Sequence, residues 1–296
     1  MRIGLWIETP SVDRVVEAAK QAREAGFRSL WAGQIFHLDT LTALAVAGHE
    51  VPGLEWGTAV IPTYPRHPLA LAMQAVTTNA AVGGGLTLGI GPSHQVVVEA
   101  IHGLDYSRPA SHTEEYLRAL IPLVRDGQVS STGDQVTAHA TIGTKEGLGL
   151  PVLVAALAPR MLRLAGTLAD GTVTWMVGPK TVGSHIAPSI RAAAEEAGRP
   201  APRVVMALPV AVTDDEAGAR AKAAEVFSIY GNLPAYRAVL DREGAEGPAD
   251  VVIAGGAKEV ADRIRSLEDA GVTEFAVVPF TEGRRTIDAL APILFG

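Results

Sequence analysis

The chain has 296 residues, of which 48% are hydrophobic and 19% are charged; this composition can bury a large core and argues against intrinsic disorder. Its formal net charge of −7 would make most of the surface repel a nucleic acid duplex or an anionic membrane, so neither is an expected partner. The absence of cysteine excludes disulfides, thiolate catalysis and zinc–sulfur sites, and it suits a cytoplasmic protein.

The first 126 residues predict four strand–helix units. The N-terminal apolar run, residues 3–7, is too short for a signal peptide, and no later run reaches the roughly 18 apolar residues of a membrane span. We therefore expect a soluble, untargeted protein. Apolar runs typical of buried strands alternate with stretches of helical periodicity. The predicted strands cover residues 2–7, 28–33, 54–61 and 86–91, and the predicted helices cover residues 11–25, 40–47, 68–81 and 111–126.

Local signals mark the ends of three of these helices. Gly26 follows the first helix, where glycine commonly adopts the left-handed conformation that ends a helix. Pro68 begins the third helix, because the missing N–H of proline costs nothing in a first turn. Ser111 and Glu114 have the spacing of a capping box, which predicts that the fourth helix begins near Ser111.

Residues 127–150 interrupt the alternation, because they are rich in Gly, Ser and Thr and predict an excursion with a short hairpin. A second polar interval covers about 231–249, and the segment 250–255 that follows suits either a strand or an irregular approach to the next helix. The later predicted strands cover residues 151–156, 171–176, 202–212 and 274–279, and the later predicted helices begin at residue 159, cover 184–197, 214–231 and 256–270, and begin again at about 284.

About eight strands that alternate with helices predict a closed parallel (β/α)8 TIM barrel, since an open doubly wound sheet usually has five or six strands. No repeat or linker divides the chain. We therefore expect a single barrel domain over residues 1–296, with short insertions at about 127–150 and 231–249. In such a barrel the chemistry lies on the loops that follow the strands.

Two of these loops contain an arginine in a setting that suits an anion. Arg66 lies in the proline-stiffened loop TYPRHP, and Arg160 lies in the first turn of the helix that begins at Pro159. Free N–H groups at a helix start bind phosphate, and arginine adds a matching charge. Each loop also has an ordinary structural interpretation: Arg66 pairs with a carboxylate in a rigid turn, and Arg160 belongs to a plain strand–helix turn.

The run GLTLGIGPSH, residues 85–94, ends the fourth strand with Gly89 and Gly91. It lacks the third glycine of a dinucleotide loop. The two glycines therefore indicate only that something packs closely over the strand end. His94 follows on the loop, and neither it nor the other histidines have metal-ligand spacing, so no metal is predicted.

Five segments between about residues 20 and 180 occur in one chain in a specific order. They are EAGFRSLWAGQ, GTAVIPTYPRHPLALAMQAVTTN, LTLGIGPSH, RPASHTEEYLRAL and PVLVAALAPRMLRLAGTLADGTVTWMVGP. Together they resemble the luciferase-like superfamily of flavin- and deazaflavin-dependent barrels, and especially its coenzyme F420-dependent oxidoreductases, relatives of methylenetetrahydromethanopterin reductase. The two polar intervals fit the insertions of that family.

The resemblance implies a homodimeric barrel that binds an isoalloxazine-like ring at the strand ends. In the family the third strand ends in a non-prolyl cis peptide bond against the ring, which here would join Ala59 and Val60. Gly89 and Gly91 would let the backbone lie close to the cofactor, and Arg66 is a further candidate contact. The phosphate would bind near the start of the helix, at Ala156, Leu157, Ala158, Pro159, Arg160 and Met161.

The implied reaction transfers a hydride between C5 of reduced F420 and an electron-poor C=C, C=N or C=O of a small molecule. His94 is the candidate proton donor. Members that oxidise alcohols have an acidic residue and a catalytic histidine after the second strand, where this chain has Gln34 and Ile35. We therefore expect a reductase in which Gln34 hydrogen-bonds the deazaflavin or the substrate. Candidate pocket residues, which alternatively belong to the core, are Ile35, Phe36, Trp175 and Met176.

Two alternatives stay open at the level of the sequence. An FMN-dependent monooxygenase of the same superfamily would share the fold, the phosphate site and the cis peptide bond. A non-catalytic F420-binding protein would account for the missing histidine after the second strand.

Overall fold

Eight parallel strands close into a barrel in the computed structural model, which describes residues 1–296. The barrel strands pair in the order β1, β2, β3, β5, β8, β9, β10 and β12, and β12 pairs again with β1. The predicted (β/α)8 barrel is therefore confirmed. The strands are β1 (Arg2–Trp6), β2 (Ser29–Ala32), β3 (Glu55–Thr58), β4 (Ile61–Pro62), β5 (Leu86–Gly91), β6 (Gln128–Ser131), β7 (Ala138–Thr141), β8 (Val152–Val154), β9 (Gly171–Trp175), β10 (Arg203–Val212), β11 (Ile253–Gly255) and β12 (Glu274–Pro279).

Eleven α-helices surround the barrel, and the main hydrophobic core lies between them and the sheet. None of them combines the length and the apolar character that crossing a membrane requires. The helices are α1 (Val12–Glu24), α2 (Thr40–Glu50), α3 (Pro68–Ala81), α4 (Pro109–Asp126), α5 (Pro159–Thr167), α6 (Pro179–Thr181), α7 (Ala187–Glu196), α8 (Glu216–Val226), α9 (Pro234–Glu243), α10 (Ala257–Ser266) and α11 (Gly283–Phe295). Two π-helical turns, at Val97–Ile101 and Val182–Ile186, and three 3-10 turns, at Ser228–Gly231, Pro248–Val251 and Leu267–Ala270, complete the helical segments.

The helix-end predictions are confirmed for two helices and wrong for one. Gly26 has a φ of 95° after α1, and Pro68 is the first residue of α3. α4, however, begins at Pro109, so Ser111 and Glu114 lie inside the helix and form no capping box. The proline starts this helix two residues before the serine because its fixed φ suits a first turn.

The third predicted strand, 54–61, is two strands in the structure. β3 ends at Thr58 and β4 begins at Ile61. The peptide bond between Ala59 and Val60 is cis, which confirms the bond that the family resemblance implied. The break moves the pairing with β5 from Trp56 and Gly57 in β3 to Ile61 and Pro62 in β4.

The two insertions differ in structure. The first contains the predicted hairpin, formed by β6 and β7. The second, expected to be a polar interval at 231–249, contains α9, which begins at Pro234 and ends at Gly244 with a φ of 82°. The ambiguous segment that follows forms β11, which pairs with the last three residues of the long strand β10. The second insertion is thus an ordered helix. The strand β11 that follows it pairs with the end of β10, which extends beyond the barrel.

A buried carboxylate joins the strands at the amino-terminal end of the barrel. Glu274 in β12 is 1% exposed and accepts hydrogen bonds from Ser29 Oγ at 2.6 Å, Trp31 Nε1 at 2.8 Å and Arg203 Nη2 at 2.9 Å. Arg203 Nη1 also donates to Thr87 Oγ1 at 2.8 Å. Side chains from β2, β5, β10 and β12 therefore meet around one charge pair inside the barrel.

The Glu274→Gln variant should lose about 3 kcal/mol of unfolding free energy, because it leaves the Arg203 guanidinium without its charged partner. The value lies at the low end for buried pairs, since the Arg203 side chain is 28% exposed. Urea unfolding followed by circular dichroism measures the loss. Glu268→Gln is the control: it removes an exposed pair with the N-terminal amine and should cost less than about 1 kcal/mol. Similar losses in the two variants would contradict the prediction.

Candidate active site

The carboxyl ends of the barrel strands surround an apolar floor. Six residues fill the barrel interior beneath it, among them Trp31 and Val205. Five partly exposed residues pack on this interior cluster, three from the ends of β1, β9 and β12 and two from the connection between β3 and β4, and we refer to them as the floor. They are Trp6, Ala59, Val60, Trp175 and Val278. The Trp6 and Trp175 rings lie 6.0 Å apart at an angle of 28°, so the floor presents flat aromatic surface beside the cis peptide bond.

Two glycines leave the backbone at the edge of the floor without side chains. A β-carbon on Gly91 would lie 2.9 Å from Val60 Cγ2 and 3.1 Å from Ala155 Cβ. A β-carbon on Gly33 would lie 3.0 Å from the Trp6 ring and 3.2 Å from the carbonyl oxygen of Ala59. A side chain at either position would therefore crowd the floor at the cis peptide bond. Such a low, apolar surface fits a planar ring.

Gly89 serves a different purpose from the one predicted. A β-carbon there would overlap the carbonyl oxygen of Thr58. The Gly89 N–H donates to Thr58 Oγ1, and Thr58 Oγ1 donates to the Gly89 carbonyl, each at 2.8 Å. The close approach that Gly89 permits is therefore to the neighbouring strand, whereas Gly91 lies beside Val60 at the floor.

The start of α5 has the features of a phosphate site. No side chain caps this helix, whose first residue is Pro159. Ala158 and Arg160 are exposed, Leu157 and Met161 are half-buried, and Ala156 is buried. Arg160 Nη2 donates to Ser111 Oγ at 3.0 Å. An uncapped helix start with an exposed guanidinium beside it is a favourable setting for an anion.

Arg66 adopts the structural interpretation instead. Its Nη2 donates to Asp39 Oδ2 at 2.7 Å, and its carbonyl oxygen accepts a hydrogen bond from the Tyr116 hydroxyl at 2.9 Å. Burial alone would raise the pKa of Asp39, but hydrogen bonds from Thr42 and the charge of Arg66 outweigh it and lower that pKa below its usual value. Arg66 thus pairs with a carboxylate, which is one of the two interpretations that the sequence allowed, and its contact with a cofactor stays a prediction.

Gln34 lies beside the cis peptide bond, and part of its side chain is hydrogen-bonded within the protein. Its backbone N–H donates to the carbonyl oxygen of Val60 at 3.3 Å. Its side-chain oxygen accepts the N–H of Thr40 at 2.8 Å, at the start of α2. Only the amide NH2 of the side chain is therefore available to a ligand.

His94 is half-buried at the mouth of the barrel. Its ring lies 5.9 Å from the Tyr236 ring, at an angle of 59°. Burial lowers the pKa of His94 below its ordinary value, so the imidazole is mainly neutral at pH 7. A neutral ring still has one N–H to donate and one nitrogen to accept. His94 is thus suited to hydrogen bonding and proton relay rather than to carrying a permanent charge.

The four predicted pocket residues separate in the structure. Trp175 belongs to the floor, as described above. Met176 is fully buried in the main core, so the prediction that it lines the pocket is wrong. It has a φ of 52° directly after β9 and adopts the core position that the sequence left as the alternative. Ile35 and Phe36 are 69% and 67% exposed and contact no aromatic ring of the floor.

Sequence reasoning missed three aromatic residues that follow α8, the last of which lies in the second insertion. Phe227 and Tyr230 lie 5.7 Å and 6.1 Å from the Trp175 ring, and Tyr236 lies over His94. The available signal was compositional, because aromatic residues form 5% of the chain, yet three occur within ten residues here. Their spacing matches no regular helix face, so only the fold brings them to the barrel mouth.

A second aromatic group lies beside the mouth. The Tyr64 and His112 rings stack 3.9 Å apart at 15°. Burial is the largest cause that raises the pKa of Tyr64 to about 12, and its buried hydroxyl has no hydrogen-bond partner. No group of three or more His, Asp or Glu side chains lies close enough to hold a metal ion.

The comparisons with known proteins agree with this geometry. The family model described as luciferase-like monooxygenase matches residues 1–278. A 5,10-methylenetetrahydromethanopterin reductase of Methanolobus tindarius is 27% identical over 259 residues, which cover 86% of this chain and 78% of that protein.

Two solved structures illustrate the range of similar folds. The coenzyme F420-dependent tetrahydromethanopterin reductase of Methanopyrus kandleri has a TM-score of 0.83 and 22% identity, with 98% of each chain covered. The oxygenating constituent of 3,6-diketocamphane monooxygenase from Pseudomonas putida, in complex with FMN, has a TM-score of 0.77 and 17% identity, with 100% of this chain and 97% of that chain covered.

The His94 pKa should lie below 6.5, and uncovering the ring should raise it. Burial disfavours the charged imidazolium, so the Tyr236→Ala variant, which removes the ring above His94, should move the midpoint towards 6.5. The midpoint is measured from the His94 ring signals by NMR between pH 4 and pH 8, with His94→Gln used to assign them. A wild-type midpoint at or above 6.5, or a downward shift in Tyr236→Ala, would contradict the prediction.

Proposed function

The chain belongs to the luciferase-like monooxygenase family, and on that premise we propose that it is an F420-dependent oxidoreductase that reduces an electron-poor small molecule. The observation that carries the proposal is the pairing of two surfaces at the barrel mouth. One is the apolar floor at the cis bond between Ala59 and Val60, and the other is the uncapped start of α5. A planar ring with a phosphorylated tail matches both surfaces.

The floor holds and orients the ring in this proposal. The flat faces of Trp6 and Trp175 and the backbone at Val60 leave room for a planar group, because Gly33 and Gly91 have no side chains to fill the space. When bound, reduced F420 supplies a hydride from C5 of its deazaflavin ring. The floor contributes position rather than acid–base chemistry, since its residues have no titratable side chain.

The start of α5 holds the phosphorylated tail. Arg160 is 61% exposed at the side chain and approaches Glu114 only at 3.9 Å, so its guanidinium can turn from Ser111 towards an anion. The first-turn N–H groups of α5, from Arg160 and Met161, add donors that no side chain occupies. A phosphate at this position would be held by backbone donors and one positive charge.

In this proposal His94 delivers the proton, and the aromatic residues near it limit the access of water. The neutral His94 ring can hold an N–H towards an acceptor oxygen or nitrogen of the substrate and be reprotonated from solvent. The Tyr236 ring lies 5.9 Å from the His94 ring. The proton needed to complete a reduction therefore reaches the substrate at a partly dry, apolar mouth.

A homodimer forms part of the proposal. Val46 on α2 and Met73 on α3 are 41% and 55% exposed. The two helices are joined by Thr78 Oγ1, which donates to the carbonyl oxygen of Leu41. With Ile35 and Phe36, these residues place large apolar side chains on one side of the barrel, which suits a second copy of the chain.

Replacing Met73 by Glu should shift the mass measured by light scattering from two chains towards one; an unchanged mass would place the contact elsewhere.

FMN is the second candidate cofactor, because a similar fold was solved with FMN and the same floor and helix start would accept its ring and phosphate. The third reading, a non-catalytic F420-binding protein, shares the site and differs only in turnover. Fluorescence titrations with F420 and with FMN at one salt concentration separate the first two. Reduction of an activated alkene or quinone by the F420-loaded protein separates the third.

The Arg160→Ala variant should weaken F420 binding about tenfold, because it removes the positive charge beside the phosphate site. Its control is Arg163→Ala, three residues further along α5, where the 70% exposed side chain pairs only distantly with Glu196. The control should change the dissociation constant less than twofold. Equal effects of the two variants would contradict a phosphate site at Arg160, and tighter binding of FMN than of F420 by the wild-type protein would overturn the F420 assignment.

A further inference from the structure

Three aromatic residues that follow α8 lie beside the aromatic rings of the floor. We refer to Trp6, Trp175, Phe227, Tyr230 and Tyr236 as the aromatic cage. Trp175 is stacked with Trp6 and meets two of the other rings edge-on: Phe227 at 77° and Tyr230 at 73°. The Trp175 indole therefore has three rings around it, one from β1 and two from the segment after α8.

Tyr236 extends this wall across the mouth. Its ring lies 4.9 Å from the Tyr230 ring and 5.9 Å from the His94 ring on the opposite loop. Burial is the largest cause that raises the pKa of Tyr236, so the hydroxyl stays protonated and remains a donor. The cage therefore runs from the floor to the candidate proton donor.

The Tyr236 hydroxyl is the polar atom of the cage that the protein leaves free. The hydroxyls of Tyr106 and Tyr116 donate to backbone carbonyls at 2.9 Å, whereas the Tyr236 hydroxyl has no such partner. The buried Trp175 Nε1 makes no well-formed hydrogen bond, but it lies beside the Tyr230 hydroxyl and lowers the pKa of Tyr230 against the larger effect of burial. Because Tyr236 is half-buried at the mouth, its hydroxyl is available to a ligand with an acceptor oxygen.

Charged groups near the cage are engaged elsewhere. Glu243, at the end of α9, accepts the N–H groups of Lys180 and Thr181 at 3.1 Å and 2.6 Å. Lys180 Nζ donates back to the carbonyl oxygen of Glu243 at 3.4 Å. The one guanidinium stacked over a ring, Arg203 on Trp31, lies at the opposite end of the barrel. The cage thus suits an uncharged ligand, and Glu243 anchors the helix that carries Tyr236.

We propose that the aromatic cage recognises a planar, uncharged aromatic carbonyl compound of the quinone class, an inference that rests on the proposed function. Aromatic rings stack and pack edge-on with planar rings, and the free Tyr236 hydroxyl matches a carbonyl oxygen. Reduction adds one hydride and one proton to the quinone and gives the hydroquinone. The reduced deazaflavin of the proposed function supplies the hydride and is oxidised, and the proton comes from solvent through His94.

Calorimetric titration of the full-length protein, without cofactor, tests the cage directly. The probes are 2-methyl-1,4-naphthoquinone and cyclohex-2-enone, which share a conjugated carbonyl but differ in aromatic area. The naphthoquinone should bind at least tenfold more tightly. Tyr236→Ala should weaken naphthoquinone binding about tenfold, and Tyr236→Phe, which keeps the ring, should weaken it about threefold.

Tyr64→Phe is the matched control, since the Tyr64 hydroxyl is also unpartnered but lies outside the cage; it should change binding less than twofold. Thermal melts verify that each variant folds, and Tyr236→Phe keeps the test valid if Tyr236→Ala does not. Equal binding of the two probes, or equal effects of Tyr236→Phe and Tyr64→Phe, would overturn the inference. Tight naphthoquinone binding without F420 binding would instead overturn the proposed function and leave the cage intact.

Discussion

The charge pair of Glu274 and Arg203 inside the barrel is the constraint from which the geometry of the mouth follows. Two charges in an apolar interior are tolerated only when every lone pair and proton finds a partner. Here Ser29, Trp31 and Thr87 complete the set. Satisfying this pair aligns four strands at their amino-terminal ends. The floor lies at the other end of the barrel, where β1, β9 and β12 carry Trp6, Trp175 and Val278.

The mouth then divides into two halves with different origins. The loops after β3, β5 and β8 supply the cis peptide bond, Gly91 and the open start of α5, which are backbone features and therefore tolerate little variation in shape. The second insertion supplies side chains, anchored through Glu243 on the start of α6. The backbone half is fixed by the barrel itself, whereas the side-chain half depends on residues of a variable kind of segment, a surface insertion.

Local pairing decides which charged residues remain available. Arg66 and Arg160 look alike as loop arginines after barrel strands, yet Arg66 is held by Asp39, whereas Arg160 contacts only a hydroxyl closely. The difference lies in the residues opposite each one, which come from α2 and α4. Similarly, the Tyr116 hydroxyl donates a hydrogen bond to a backbone carbonyl, whereas the hydroxyls of Tyr230 and Tyr236 do not. The chemistry of the mouth is carried by the groups that internal hydrogen bonds leave free.

The fold was readable from the residues because it depends on local periodicity. Alternating strand and helix patterns predicted the barrel, Pro68 and Gly26 predicted helix ends, and the family resemblance predicted the cis bond at Ala59. The roles of Gly89, Arg66 and Met176 were not readable, nor was the helix at Pro234. Gly89, Arg66 and the insertion helix each pack on a partner distant along the chain: Thr58 against Gly89, Asp39 beside Arg66, and the start of α6 against Glu243. Met176 depends instead on its local φ of 52° after β9. Periodicity records which face of a segment is buried, but it does not record which segment lies opposite; three-dimensional packing brought Tyr236 to His94.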